Sequence, residues 1–234
     1  MKTNSIIRFT IGFLVGFFIP QTILAQGTVY VSNLGQPSVG SLPVGSDSWH
    51  AAQFSIGAFP PTYLLNSVQL RMNGATGNPS DFTVTVHTNK QSSFASPGGS
   101  IGQLVGSTNP ATAGIYTYSP TTPFFLNPLG VGSVFFIVVT AGTPVAGDAY
   151  AWSAAGSPSY STVNQWTGGT KSYYSNDGTS WILNSASFPQ FAVNASPWVP
   201  EPSAGMLFLM GSLFASGRLV RNRCPANSPL RRLS

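Results

Sequence analysis

Short runs of alternating apolar and polar residues occupy the middle of this chain. From Val68 to Asn73, apolar residues alternate with Gln, Arg and Asn, and the run from Phe82 to His87 repeats the pattern with Thr. A period of two places one side of a β-strand against a core and the other side in water. We therefore predict two strands that each have one wet face.

A third run, Val134 to Val139, is apolar at every position. This composition is typical of the centre of a sheet, where both faces of a strand are covered. We expect this run to form the spine of the core. In total, strands are predicted at Thr28–Ser32, Trp49–Ile56, Tyr63–Met72, Phe82–His87, Ile115–Tyr118, Val134–Thr140, Tyr150–Ser153, Trp181–Leu183 and Gln190–Asn194, with smaller pieces near Leu104 and Phe125.

The segments between these runs are rich in Gly, Pro, Ser, Thr and Asn, and no stretch from 26 to 198 has a sustained helical period. The tripeptide Asn176-Asp177-Gly178 predicts a hairpin, because Asp-Gly supplies the positive φ that primed turns need. Many short strands without crossover helices favour an all-β, antiparallel β-sandwich or jelly-roll-like domain over a parallel sheet. The length of the segment 26–198 is typical of one domain.

Charge divides the chain into a nearly neutral middle and basic ends. The whole chain has a net charge of +5. Between 26 and 198, three cations and four aspartates give 3 − 4 = −1. These residues are Arg71, Lys90 and Lys171, and Asp47, Asp81, Asp148 and Asp177. A nucleic-acid partner is therefore not expected, since it would need a basic face.

The first 25 residues have the pattern of a signal peptide that is cut after Ala25. Lys2 and Arg8 form a short basic region around the start of an apolar run from Phe9 to Ile19. An uncleaved N-terminal anchor is the alternative, and the shortness of the apolar run argues against it. We therefore expect the N-terminal signal helix to be removed on export.

A second apolar segment lies near the C-terminus. The fourteen residues from Ala204 to Gly217 carry no charge, and as a helix they would be roughly 21 Å long, short of the ~30 Å hydrocarbon core. A helix from Ser203 to Val220, with the guanidinium of Arg218 reaching the headgroups, comes close to spanning. We therefore predict a transmembrane helix at 204–217, or at 203–220 in its longer form.

The basic residues at the C-terminus set the orientation of that helix. Of the ten Lys and Arg residues, five lie in the last seventeen positions, namely Arg218, Arg221, Arg223, Arg231 and Arg232. The positive-inside rule places the tail 224–234 in the cytoplasm and the residues before Val199 outside. The only cysteine, Cys224, lies in this tail, so no disulfide is expected in the exported domain.

The five residues Val199-Pro200-Glu201-Pro202-Ser203 directly precede the apolar segment. The two prolines remove backbone donors and favour extended conformations, which suits a processing site. Together with the apolar segment and the Arg cluster, the stretch from Val199 to about Arg223 resembles the PEP-CTERM sorting signal. The N-terminal signal predicts export by Sec-type machinery and cleavage by signal peptidase. The resemblance implies later processing by an exosortase-like membrane protease. The chain departs from the usual pattern by continuing from Cys224 to Ser234.

The middle of the chain, roughly Asp47 to Ala155, carries a second resemblance in its aromatic and aliphatic positions. The runs concerned are Trp49–Phe54, Tyr63–Leu70, Gly114–Tyr118, Val134–Val139 and Tyr150–Trp152. They are similar to the choice-of-anchor R domain, a set of bacterial exported domains attached to alternative C-terminal surface signals. The resemblance implies an exported domain and carries over no catalytic residue.

Few residues of the middle segment suggest catalysis. Gly98 to Gly102 satisfies the pattern G-x-S-x-G, but no helix is predicted after it and no histidine follows His87. A plain glycine-rich loop is the expectation there. The two histidines, His50 and His87, are too few for a histidine-based metal site and are expected on the solvent faces of strands. The middle segment has no convincing pair of carboxylates for glycoside hydrolysis, since the first Glu of the chain is Glu201.

Aromatic residues are frequent late in the middle segment, among Gly, Ser, Thr and Asn. Trp166, Tyr173 and Tyr174 are candidates for stacking on sugar rings. The alternative places Trp152 and Trp181 in the core and leaves the tyrosines to cover the edges of the domain.

The sequence thus predicts an exported, non-catalytic protein of the cell surface or extracellular matrix, sorted by its C-terminal signal and binding polysaccharide. Its partners would be the export and processing enzymes, the membrane and an extracellular polysaccharide, and no cofactor is expected. It would pass through a membrane-anchored intermediate whose C-terminus is cytoplasmic. A secreted carbohydrate-active hydrolase and a permanently anchored single-pass protein are the alternatives.

Overall fold

The structure, a computed structural model, describes residues 27–57, 62–90, 95–127, 133–184 and 186–198. These residues form strands, turns and irregular segments, and the described part of the chain contains no helix. The strands are β1 Thr28–Ser32, β2 Ser38–Val44, β3 Trp49–Ser55, β4 Tyr63–Thr76, β5 Thr83–Asn89, β6 Pro97–Val105, β7 Ala113–Pro120, β8 Phe125–Leu126, β9 Val134–Thr140, β10 Ala149–Ala155, β11 Ser161–Thr162, β12 Thr167–Ser175, β13 Ile182–Asn184, β14 Phe188–Pro189 and β15 Phe191–Pro197.

The strands form one curled sheet in which the pairings are antiparallel. Its order is β11-β1-β15-β4-β7-β6-β5-β9-β3-β12-β13, with β10 beside β2, β4 and β14, and β8 beside β4. Only two residue pairs, Leu104–Pro120 and Val105–Ser119, join β6 to β7. We call the strands on the β4 side of this junction the first half and those on the β9 side the second half. The predicted all-β, antiparallel fold is confirmed.

The inner faces of the two halves meet in one hydrophobic core. At one end of the core, the ring of Trp166 stacks on Tyr30 at 4.7 Å and meets the edge of Tyr63 at 4.9 Å. At the other end, Phe82 lies 5.1 Å from Tyr150. Aromatic rings from both halves therefore fill the space between them, and burial of such large side chains is the main stabilising contribution.

Strand β9 is covered on both faces, as its uninterrupted apolar sequence predicts. Phe135 and Ile137 belong to the main core, whereas Phe136 and Val138 point to the other side of the second half. There they belong to a second cluster of buried side chains, the outer cluster, which consists of Ala51, Phe136, Val138 and Tyr173. The prediction that this strand is the spine of the core is confirmed.

Four strands form where the sequence pattern predicts none: the two-residue strands β11 and β14, and the longer strands β2 and β12. β2 contains Pro43, and among the described strands it pairs only with β10. The other side of β2 has no described strand beside it, so a proline, which has no N–H to donate, is tolerated there. β12 contains Gly168 and Gly169, and a Cβ at Gly169 would lie too close to Gln53 on β3. Pairing with neighbours that are distant in sequence forms β2 and β12 despite their loop-like compositions.

The glycine-rich segment from Gly98 to Gly102 is not a loop but part of β6, paired with β5. A Cβ at Gly98 would lie 2.8 Å from the backbone nitrogen of Lys90. Glycine is needed here because two backbones approach closely, a role unrelated to a nucleophile elbow.

Candidate functional site

The three residues predicted to stack on sugar do not share one surface. Trp166 is 0% exposed in the main core, so its faces are inaccessible to a sugar ring. Tyr173 is buried in the outer cluster. Tyr174 is half-buried and, as its neighbour on β12, points to the opposite side of the sheet. The alternative interpretation, which places Trp152 and Trp181 in the core, is confirmed for Trp152, whereas Trp181 is half-buried against the outer cluster.

Two other tryptophans line the edge of the outer cluster. Trp49 and Trp181 are half-buried and pack against it. Trp49 is paired with Ser175 across β3 and β12, and continuation of the β12–β13 register places Trp181 on the other side of Ser175. Leu183, next to Tyr173, is exposed. We call Trp49, Trp181 and Leu183 the outer rim.

The β12–β13 hairpin holds this rim in place. Its turn confirms the prediction from Asn176-Asp177-Gly178, since Gly178 has a φ of +71°. A carboxylate oxygen of Asp177 accepts hydrogen bonds from the backbone N–H groups of Thr179 and Ser180, both at 2.8 Å. These bonds hold the pKa of Asp177 well below its usual range. A Cβ at Gly178 would lie 2.9 Å from the ring of Trp49, so the turn lies directly against that ring.

Both histidines are buried, which corrects the expectation that they lie on solvent faces. His50 is 6% exposed, and its Nε2 lies 3.0 Å from the carbonyl oxygen of Pro43. His87 is 8% exposed, with Nδ1 2.8 Å from the carbonyl oxygen of Gly98. Burial lowers the pKa of His50 to about 4 and also lowers the pKa of His87. Each neutral imidazole therefore serves as a hydrogen-bonding group between strands.

Aspartates outside the hairpin hold loops at the end of the sheet where β4 finishes. Asp47 accepts a hydrogen bond from the backbone N–H of Val145 at 2.8 Å. Asp148 accepts one from the backbone N–H of Asn78 at 2.6 Å. Within the residues that the structure describes, no group of three or more His, Cys, Asp or Glu side chains could hold a metal ion.

A buried polar network links the first half to its loops, and the sequence analysis did not identify it. Gln190 is completely buried and accepts a hydrogen bond from the hydroxyl of Ser153 at 2.6 Å. Its amide nitrogen donates to the carbonyl oxygens of Asn33 and Gln36, at 3.2 and 2.7 Å. These polar groups are satisfied by one another, which is what burial requires.

The two ends of the described domain emerge at the same end of the sheet. Thr28, near the start of β1, is paired with Ala195 on β15. The chain leaves at Trp198, whose backbone N–H donates to the carbonyl of Thr62 at 3.0 Å. The ring of Trp198 packs edge-on against Phe125, with centroids 5.9 Å apart and planes at 83°. Both rings are nearly half exposed, at 46% and 42%.

The predicted signals lie outside the described residues. These are the signal peptide 1–25, the motif Val199, Pro200, Glu201, Pro202 and Ser203, the helix 204–217, the tail 224–234, and the stop-transfer residues Arg218, Arg221 and Arg223. Among the described residues, no helix has the length and apolar character needed to cross a membrane.

Comparisons with protein-family models, with curated proteins and with solved structures found no match to this chain.

Proposed function

We propose that this chain is an exported, non-catalytic protein of the cell surface or extracellular matrix, sorted through the C-terminal signal that begins at Val199. In this proposal the curled sheet is a β-sandwich-like domain between an N-terminal signal helix and a C-terminal transmembrane helix. Sec-type machinery exports it, signal peptidase removes residues 1–25, and an exosortase-like protease acts at the Pro-Glu-Pro segment.

The observation that carries the proposal is the position of the two ends of the domain. Because β1 and β15 are antiparallel neighbours, Thr28 and Trp198 lie at one end of the sheet. A signal helix before Gly27 and a membrane helix after Ser203 could then lie in the same bilayer while the domain folds outside. Ends on opposite sides of the sheet would require one of the connecting segments to run the length of the domain.

Cell fractionation tests the sorting proposal. The wild-type chain and a Glu201→Ala variant are followed in membrane and medium fractions, with Thr121→Ala, a substitution at an exposed site of the domain, as the control. The wild type and the control should leave the membrane fraction after processing, and Glu201→Ala should accumulate there. Equal distributions for all three chains would overturn the proposal that Glu201 belongs to a processing signal.

We further propose that the outer rim is the surface that contacts extracellular polysaccharide. The supporting observation is that Trp49, Trp181 and exposed Leu183 border one buried cluster. The two indole rings offer flat, apolar faces on which sugar rings can stack. Trp181→Ala with Leu183→Ala should reduce co-sedimentation with purified extracellular polysaccharide of the producing cells. Ile115→Ala, at an exposed residue of the first half, is the matched control. If the outer-rim variant and Ile115→Ala co-sediment with the polysaccharide to the same extent, this assignment is contradicted.

A further inference from the structure

The point at which the chain leaves the domain is marked by apolar side chains, of which Phe125, Pro197 and Trp198 are exposed and Leu64 is half-buried. Leu64 on β4 is paired on one side with Phe125 on β8 and on the other with Ser196 on β15. Pro197 and Trp198 follow Ser196 directly. We call Leu64, Phe125, Pro197 and Trp198 the exit corner.

The exit corner is built on the sheet and is not a free tail. The backbone N–H of Trp198 donates to Thr62, and the N–H of Leu65 donates to the carbonyl of Phe124 at 2.8 Å. The edge-on contact between Phe125 and Trp198 fixes the two rings relative to each other. Their exposure is therefore a property of the folded domain.

The position of Trp198 along the chain limits its distance from the apolar segment. Five residues separate it from Ala204, so at about 3.3–3.6 Å for each of the six steps the two positions are no more than roughly 22 Å apart. The polar interface of a bilayer adds about 5–8 Å on each side of the hydrocarbon. If Ala204 enters the hydrocarbon, Trp198 is within reach of the headgroups.

Charge also distinguishes this end of the domain. The described residues around the exit corner, 27–31, 62–67, 124–127 and 194–198, carry no Asp, Glu, Lys or Arg. Asp148 bonds to Asn78, just beyond the far end of β4. β4 has fourteen residues, so it separates the two regions by up to roughly 45 Å. Contact of the exit corner with lipid headgroups thus requires no desolvation of charge from these residues.

We propose that the exit corner docks on the lipid interface of the membrane that holds the C-terminal segment. This inference rests on the proposed anchoring through residues 204–217. Tryptophan is favoured at membrane interfaces because its ring is apolar and its N–H is polar. Docking holds the domain with its aspartate-rich end away from the membrane. It also keeps Pro200, Glu201 and Pro202 at the membrane surface, where a membrane-embedded protease can act.

Tryptophan quenching in vesicles tests the docking. The full chain is reconstituted in phosphatidylcholine and phosphatidylglycerol vesicles, with or without brominated acyl chains, which quench tryptophan at short range. Trp198→Phe removes the proposed interfacial fluorophore and keeps an aromatic ring. Trp181→Phe is the matched control, since Trp181 is also partly exposed but lies on the second half of the sheet. Flotation of the vesicles is measured on the same samples.

We expect the wild type and Trp181→Phe to float with the vesicles and to be quenched by bromine, and Trp198→Phe to float and lose that quenching. If the chain floats and Trp198→Phe is quenched as strongly as the wild type, the docking is overturned and the anchoring stands. If the chain does not float, the anchoring and the docking are both overturned.

Discussion

The Nε2 atom of His50 lies 3.0 Å from the carbonyl oxygen of Pro43 and joins strand β3 to strand β2. β2 has one free side, and Pro43 has no N–H of its own to donate. The hydroxyl of Ser48 donates to the same carbonyl at 2.8 Å. A neutral, buried imidazole thus helps to hold a strand that the sequence pattern does not predict.

This contact predicts that acid destabilises the protein through His50. Its pKa is lowered to about 4 by burial, against an ordinary value of 6.5. The unfolded state therefore binds the proton more readily, and stability is full above about pH 6.5 and falls as the pH decreases towards 4. At about 1.4 kcal/mol for each pKa unit, the expected loss is roughly 3 kcal/mol.

Urea unfolding at pH 7 and pH 4 measures this loss. His50→Gln keeps a donor for the carbonyl of Pro43 but cannot titrate, so the part of the loss that belongs to His50, roughly 3 kcal/mol, should disappear. His87→Gln is the comparison variant: it removes only the contribution of His87, whose pKa is also lowered, and leaves that of His50 in place. An unchanged pH dependence in His50→Gln would show that another group is responsible.

The buried network around Gln190 is predicted to contribute strongly to stability. Gln190→Ala removes three hydrogen bonds, one from Ser153 and two to the carbonyls of Asn33 and Gln36. At a net value of about 1 kcal/mol each, the free energy of unfolding should fall by about 3 kcal/mol. Gln69→Ala, whose side-chain contact is a 3.5 Å bond to Thr117 at the surface, should cost less than about 0.5 kcal/mol. Similar losses in the two variants would contradict this account.

Trp166 is predicted to matter for folding and not for binding. Its indole stacks on Tyr30 and Phe54 in the core, and Trp166→Ala should cost about 3–5 kcal/mol because it opens a large cavity. Trp198→Ala, at an exposed ring, should cost much less. Thermal or urea unfolding compares the two. A stable Trp166→Ala protein with impaired polysaccharide binding would restore the original hypothesis that Trp166 stacks on sugar.

Part of the fold follows from local pattern alone. β9 and the alternating strands β4 and β5 were predictable because their side-chain sequence directly reports which faces are buried. His50 could also have been placed, since it shares an inner face with Ala52 and Phe54 on β3. The relevant signal is that alternation and not the polarity of the histidine.

Other features depend on contacts between residues far apart in the chain. His87 continues a polar alternation, yet Gly98 from the next strand bonds to its ring and it is buried. Trp166 follows Asn164 and Gln165, which both have positive φ, and no periodic pattern indicates that its ring enters the core. The outer rim likewise combines β3 with the β12–β13 hairpin, a pairing that the sequence does not reveal.

The central claim is that the C-terminal signal is processed after export, and the intact mass of the mature protein from its native cells tests it most directly. The account predicts a chain that begins near Gln26 and ends between Pro200 and Ser203, and predicts that this form is lost in Glu201→Ala. A mass that extends to Ser234 in both the wild type and the variant would contradict the claim and identify a permanently anchored membrane protein.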